Sequence, residues 1–177
     1  MNKCHFRMSL VAIAAIAFST GCTPKPLANS TPSPSLASPS PTSTDATVPN
    51  LNKAYESSGK LYSNSVMRGQ QAFFLEKGKF ASTVDELGLG IKTDTESYKF
   101  EVAEVKPKQV KVTATAKKPE IKSYTVSVFV VGETGNELTM GIVCATDQPS
   151  QTPPEVSTPP KSATDVLTCP TGSSAAN

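Results

Sequence analysis

Residues 23–49, TPKPLANSTPSPSLASPSPTSTDATVP, hold seven prolines, six serines and five threonines, with Lys25 and Asp45 as the only charges. So little apolar surface cannot offset the entropy of ordering the chain, and no core forms from it. Proline biases such a stretch toward polyproline II, with a reach of at most about 80 Å at ~3.1 Å per residue. Together with Cys22 it reads as a stalk over 22–49. Any globular fold is thereby confined to the chain beyond the stalk, roughly residues 50–170. The stretch 146–177 is also rich in Pro, Ser and Thr, but Cys169 ties it back, so only 171–177 is expected to be a disordered tail.

Ahead of the stalk, Lys3 and Arg7 precede nine apolar residues from Leu10 to Phe18, then the small residues STG and Cys22. Nine is about half of the ~20 residues that span hydrocarbon, so the pattern is an export signal over 1–21 and not a transmembrane helix. The TGC tripeptide resembles a bacterial lipobox. That resemblance implies cleavage before Cys22, diacylglycerol on its thiol and acylation of the new amine, a pair of signals strong enough for stable anchoring. Ser19 stands where lipoboxes usually carry leucine. The alternative is ordinary signal cleavage after Ala17, which would release a soluble secreted protein.

Lys and Arg total 17 against 15 Asp and Glu in the 177 residues, and removing 1–21 leaves fifteen of each and no histidine. A balanced charge disfavours a dedicated nucleic-acid binder. The missing imidazole removes the commonest general base and metal ligand. No cofactor and no catalytic residue is expected. With Cys4 in the signal and Cys22 claimed by lipid, Cys144 and Cys169 remain as a pair in an oxidising compartment, which predicts a disulfide. Free thiols are the alternative, and two cysteines without histidine cannot complete a zinc site.

The folded region changes period once. Tyr62, Val66, Gly69 and Phe73 recur at helical spacing, predicting an apolar stripe on one long helix. Asn50 after Pro49 is a candidate N-cap, and Gly78 a terminating glycine near Lys77. Gly59 and Gly69 each cost about 1 kcal/mol relative to alanine, so either packing repays them or the helix begins near Ser58. Thr83 and Glu86 have capping-box spacing for one short turn closed by Gly88. From Tyr98 the period is two. SYKFEV, QVKVTATAK, SYTVSVFVVG and LTMGIVCA predict four strands, with GETGNE as a hairpin loop between the last pair. Short connections imply an antiparallel meander, and the helix is the element available to cover its apolar face. The expected class is α+β.

One helix, a four-stranded meander and a cysteine-closed loop resemble the globular half of a type IV pilin. The run GQQAFFLEKGKFASTVDELGLGIKTDTESYKF, residues 69–100, is similar to the type IV pilin-like G/H family, known mainly from cyanobacteria. The resemblance implies a non-enzymatic envelope protein whose partners are pilus or type II secretion-like assembly components, with the Cys144–Cys169 loop exposed. A polymerising pilin carries a basic leader, a glutamate at mature position five and about 25 apolar residues continuous with its helix. This chain departs from that pattern, and the expectation is a pilin head moored by lipid and tether, serving assembly or surface display, and not an ordinary filament subunit.

Sharper readings compete with blander ones. Lys106, Lys108, Lys111, Lys117, Lys118 and Lys122 form a sequence cluster that could attract DNA or an anionic polysaccharide, which is the alternative function of an envelope binding module. Lysines also commonly blunt strand edges. GLGIKT, residues 88–93, lacks phosphate-loop spacing and follows a helix, so it reads as a turn. Nothing places any two of Asp85, Glu86, Asp94 and Glu96 across a cleft at the separation a glycosidase needs. Asp147 and Asp165 offer two carboxylates where calcium takes six or more oxygens. Tyr62, Phe73, Phe74, Phe80, Tyr98, Phe100 and Tyr124 are expected in the core.

Overall fold

The computed structural model describes residues 47–176; the signal, Cys22 and the stalk up to 46 lie outside the described residues. The helix α1 runs from Thr47 to Lys77, 31 residues or about 46 Å. It starts earlier than either position predicted from sequence. Thr47–Pro49, assigned to the stalk, are already helical, and Asn50 is the fourth helical residue and not the N-cap. Pro49 is tolerated because amides in a first turn have no partner to lose. At the other end Gly78 behaves as expected: its φ is 67° and its amide donates to Phe74 O at 2.8 Å.

The buried stripe of α1 is not the predicted one. Gly59, Ser63, Val66, Gln70 and Phe74 face the sheet, displaced about one position from Tyr62, Gly69 and Phe73. Tyr62 is 37% exposed and Phe73 half-buried, which corrects their assignment to the core. Gly59 is required by close approach, since a Cβ there would lie 2.6 Å from Tyr98 Cζ. Packing, not a later helix start, accounts for that glycine. Gln70 is fully buried because its amide pairs both backbone groups of Ala81, donating to Ala81 O at 3.2 Å and accepting from Ala81 N at 3.0 Å. That bond ties the post-helical loop to α1 and buries Phe80 against Phe74, ring centroids 4.9 Å apart.

The loop contains a short 3-10 turn, Asp85–Leu87, closed by Gly88 at φ 63°. Thr83 Oγ1 accepts from Glu86 N at 3.3 Å, and the Glu86 carboxylate accepts from Ser82 N at 2.9 Å. The predicted box therefore forms with its return bond shifted back by one residue. Strands β1 (Tyr98–Lys106), β2 (Gln109–Ala116), β3 (Tyr124–Val131) and β4 (Leu138–Thr146) come next as an antiparallel meander. A fifth strand, β5 (Ser173–Ala175), pairs Cys144 with Ala175 at the edge of β4. Four strands thus become five, and 171–176 are no loose tail: Ala176 is buried and its amide donates to Val143 O at 2.8 Å.

Alternation holds on β1 and β2, where Tyr98, Phe100, Val110, Val112, Ala114 and Ala116 point to the core. It fails on β3, whose eight residues are all buried. Tyr124, Val126, Val128 and Val130 share the helix-side face, opposite Val143 and Gly141 of β4. Thr125, Ser127, Phe129 and Val131 lie on the other face, and that face is covered too.

Candidate functional site

The cover on the outer face is the segment between the two cysteines. Cys144 sits on β4 on the side away from α1, and its bond to Cys169 closes a separation of 25 residues. The intervening chain lies across the outer face and is bonded to it by short polar contacts. Thr125 Oγ1 donates to Pro154 O at 2.6 Å, Ser123 Oγ to Ser150 O at 2.6 Å, and Ser150 N to Ile121 O at 3.0 Å. Ser157, buried, places its hydroxyl 3.5 Å from Cys144 Sγ. Ser127 Oγ has no partner among the described residues.

Beyond this polar seam the loop turns outward. Residues 161–166, KSATDV, are exposed, and Asp165 holds the turn by accepting from Lys161 N at 2.7 Å and Ser162 N at 3.2 Å. The Ser162 hydroxyl and then the Lys161 amide keep the Asp165 carboxyl below the ordinary carboxylate range. Val166 at the tip is 86% exposed. Asp147, the other acid considered for calcium, accepts from Ser174 Oγ at 2.6 Å on β5. The two are engaged separately, and among the described residues no group of three His, Cys, Asp or Glu could hold a metal.

The six lysines do not converge. Lys106 and Lys108 stand at the β1–β2 turn, where Lys106 pairs with Glu104 at 2.7 Å and Lys108 Nζ donates to Gly132 O at 3.1 Å. Lys117, Lys118 and Lys122 occupy the β2–β3 connection at the opposite end of β2, about 25 Å away at ~3.3 Å per residue. That exceeds a Debye length of roughly 8 Å, so the two groups do not act as one field. Lys117 pairs with Asp94, and Lys118 bonds Glu96 at 2.9 Å while lying 5.2 Å over the Tyr55 ring. Lys111, the third residue of β2, reaches Glu155 of the disulfide loop at 3.4 Å. The carboxylates Glu86, Asp94 and Glu96 are therefore in structural bonds, while Asp85 lies exposed in the short turn.

Among the described residues, two of the depressions border the sheet. One, of about 460 Å³, lies between the β1–β2 turn and the disulfide loop, walled by Phe129, Val130, Pro159 and Pro160 with Lys106 and Lys108 at its rim. The other, about 380 Å³, runs along the seam between α1 and the β4–β5 edge. Lys53, Lys60 and Lys122 line it together with Glu56 and Asp147. Its floor is a hydrogen-bonded knot: Lys122 N donates to Glu56 Oε1 at 3.0 Å, Tyr124 Oη to Glu56 O and Tyr98 Oη to Lys122 O, both at 2.9 Å. Burial pushes the Tyr124 phenol up to about 12 and the Tyr98 phenol higher still, so both remain neutral donors. Sequence reasoning missed this knot because each of its bonds uses a backbone group far along the chain, which no side-chain pattern announces.

No helix among the described residues is long and apolar enough to cross a membrane. The model of the family described as type IV pilin-like G and H matches residues 56–170. No curated protein and no solved structure matches the chain. The match takes in most of α1, the whole meander and both disulfide cysteines, which is well over half of the sequence. The chain belongs to the type IV pilin-like G and H family.

Proposed function

We infer that this protein is a non-enzymatic, pilus-related component of the cell envelope, exported and held at a membrane by lipid on Cys22. Residues 23–46 act as a tether, and the pilin-like head displays its disulfide-closed loop to partners in pilus or secretion assembly. The observation that carries this reading is the family match over 56–170, preceded in the sequence by a Pro/Ser/Thr-rich stretch joined to a TGC motif. A pilin enters a filament by burying a long apolar helix among its neighbours. Ahead of α1 the sequence carries nine apolar residues, Leu10–Phe18, and then the Pro/Ser/Thr-rich stretch, which favours a head that serves from a tether over one within a shaft.

Intact-mass analysis of the native protein tests the anchor: a mature N-terminus at Cys22 with the mass of diacylglycerol and an amide-linked acyl chain is expected. Cys22→Ser should release the protein from the membrane fraction. An unmodified N-terminus would overturn the anchor. Dense regular immunogold labelling along sheared pili would overturn the tethered role.

A further inference from the structure

Residues 152–158 of the disulfide loop, TPPEVST, are buried with a period of three. Thr152, Glu155 and Thr158 are exposed, Pro153 and Val156 half-buried, and Pro154 and Ser157 buried. Residues 153–160 form neither helix, strand nor turn. A repeat of three in an extended chain without internal bonds is that of polyproline II, and prolines at 153, 154, 159 and 160 favour it. One side of this segment is seated on the sheet. Pro154 O accepts from Thr125 Oγ1 at 2.6 Å, and the Ser157 hydroxyl lies 3.5 Å from Cys144 Sγ.

The opposite side repeats a sequence as well as a position. Thr152 and Thr158 each precede two prolines. Six residues are two full turns of polyproline II, so both threonines stand on one outward edge, about 19 Å apart at ~3.1 Å per residue. Most other hydroxyls beyond β4 are occupied: those of Ser150, Ser162, Thr164, Ser173 and Ser174 are all hydrogen-bonded. The Thr152 and Thr158 hydroxyls make no bond among the described residues. Exposed Thr168 and Thr171 share that freedom but neither precedes a proline. A partner that reads polyproline II grips its prolines, and here Pro154 is turned to the sheet and Pro153 half-covered. What faces outward is a pair of hydroxyls.

We propose that Thr152 and Thr158 are acceptors for O-linked sugar, a pair of glycosylation sites on the outward edge of the disulfide loop. An acceptor hydroxyl must enter a transferase cleft on an extended backbone, with no internal bond to break first. The bond from Thr125 and the disulfide hold the backbone in that form beforehand, so little ordering is left for the encounter. In the transfer, threonine Oγ1 attacks C1 of a sugar carried on a polyprenyl diphosphate, the donor class available outside the cytoplasm. The Oγ1–C1 bond forms as the bond from C1 to the phosphate oxygen breaks. The hydroxyl proton passes to a base of the transferase, and the diphosphate leaves with the electron pair. Donor and transferase belong to the envelope, and this chain supplies the acceptor; the inference therefore rests on the export proposed above.

The native protein, purified from its own envelope, tests this by mass. After reduction and trypsin, the peptide 123–161 is expected to exceed its sequence mass by two hexose or N-acetylhexosamine units. Fragmentation that keeps side-chain groups attached should place them on Thr152 and Thr158. Thr152→Val and Thr158→Val should each lose one unit, and the double variant both. Peptide 162–177, which contains Thr168 and Thr171, should keep its sequence mass. An unmodified 123–161 peptide from a chain processed at Cys22 overturns this inference and leaves the proposed function standing. A chain that keeps residues 1–21 overturns both. Sugar on 162–177 to the same extent, or a phosphoryl group in place of sugar on the two threonines, also overturns the inference.

Discussion

The two faces of β3 are both buried, but by different physics. Toward α1, Val126, Val128 and Val130 meet a helix mainly through shape and apolar contact, with Tyr124 adding one hydrogen bond to Glu56 O at the margin. On the opposite side, Thr125 and the flanking Ser123 meet loop carbonyls at fixed positions, Pro154 O and Ser150 O, and a covalent bond from Cys144 holds the cover down. An apolar face accepts any amphipathic partner of suitable shape. A face containing hydroxyls needs a partner whose backbone acceptors arrive at defined points, because a buried hydroxyl or carbonyl left unpaired costs roughly 1–3 kcal/mol. The inner face is secured by amount of contact and the outer face by placement.

That contrast can be broken from either side. Phe74→Ala, which removes a buried ring from the inner layer, should cost about 3–5 kcal/mol in urea unfolding and leave the disulfide loop protected in hydrogen exchange until global unfolding. Breaking the Cys144–Cys169 bond with Cys169→Ser should cost roughly 3 kcal/mol by loop-closure entropy. There the exchange pattern is reversed: 147–168 should open while α1 and β1–β2 stay protected. If both variants loosen the same residues, the faces are not separate layers.

A finer probe is Thr125→Val, isosteric and unable to donate to Pro154 O. It should cost about 1–2 kcal/mol, with the loss seen as faster exchange in the disulfide loop and not in α1. The smallest effect concerns the exposed margin. The Lys118 hydrogen bond, then that of Tyr55, lowers the Glu96 pKa below its ordinary value. A depressed carboxyl stabilises the fold above its unfolded pKa and loses that contribution as pH falls through the folded value. Glu96→Gln should therefore be slightly less stable than the wild type at neutral pH, and the gap should close on acidification below the carboxylate range. A gap independent of pH would show that the ion pair is not its source.

Much of the fold is legible in the residues alone. The two-residue period places β1–β3, the apolar LTMGIVCA run after a glycine-containing loop places β4, Gly78 and Gly88 mark where helical turns stop, and the GQQAFFLEKGKFA run carries the family resemblance. What escapes has a common cause. Gly59, Ser63 and Gln70 on the buried side of α1 are not apolar, so hydrophobic periodicity points one position away from the face they define. Each explained case is buried for a reason that lies far along the chain: the Tyr98 ring for Gly59, the Ala81 backbone for Gln70. The lysines show the same limit in reverse, since neighbours in sequence at 106–122 separate to opposite ends of a strand.

By itself the sequence determined the local conformations, because alternation, glycine placement and proline content act through the backbone of adjacent residues. It also determined the α+β class, through a single change of period from helix to strands. Only the tertiary structure decided that α1 begins at Thr47, that Ser173–Ala175 form a fifth strand, and that β3 is covered on both faces. Those outcomes depend on which distant backbone groups come within hydrogen-bonding reach. A three-residue strand has almost no propensity of its own; it exists here because β4 offers open backbone groups at Val143–Thr146 and the nearby disulfide holds the chain beside them.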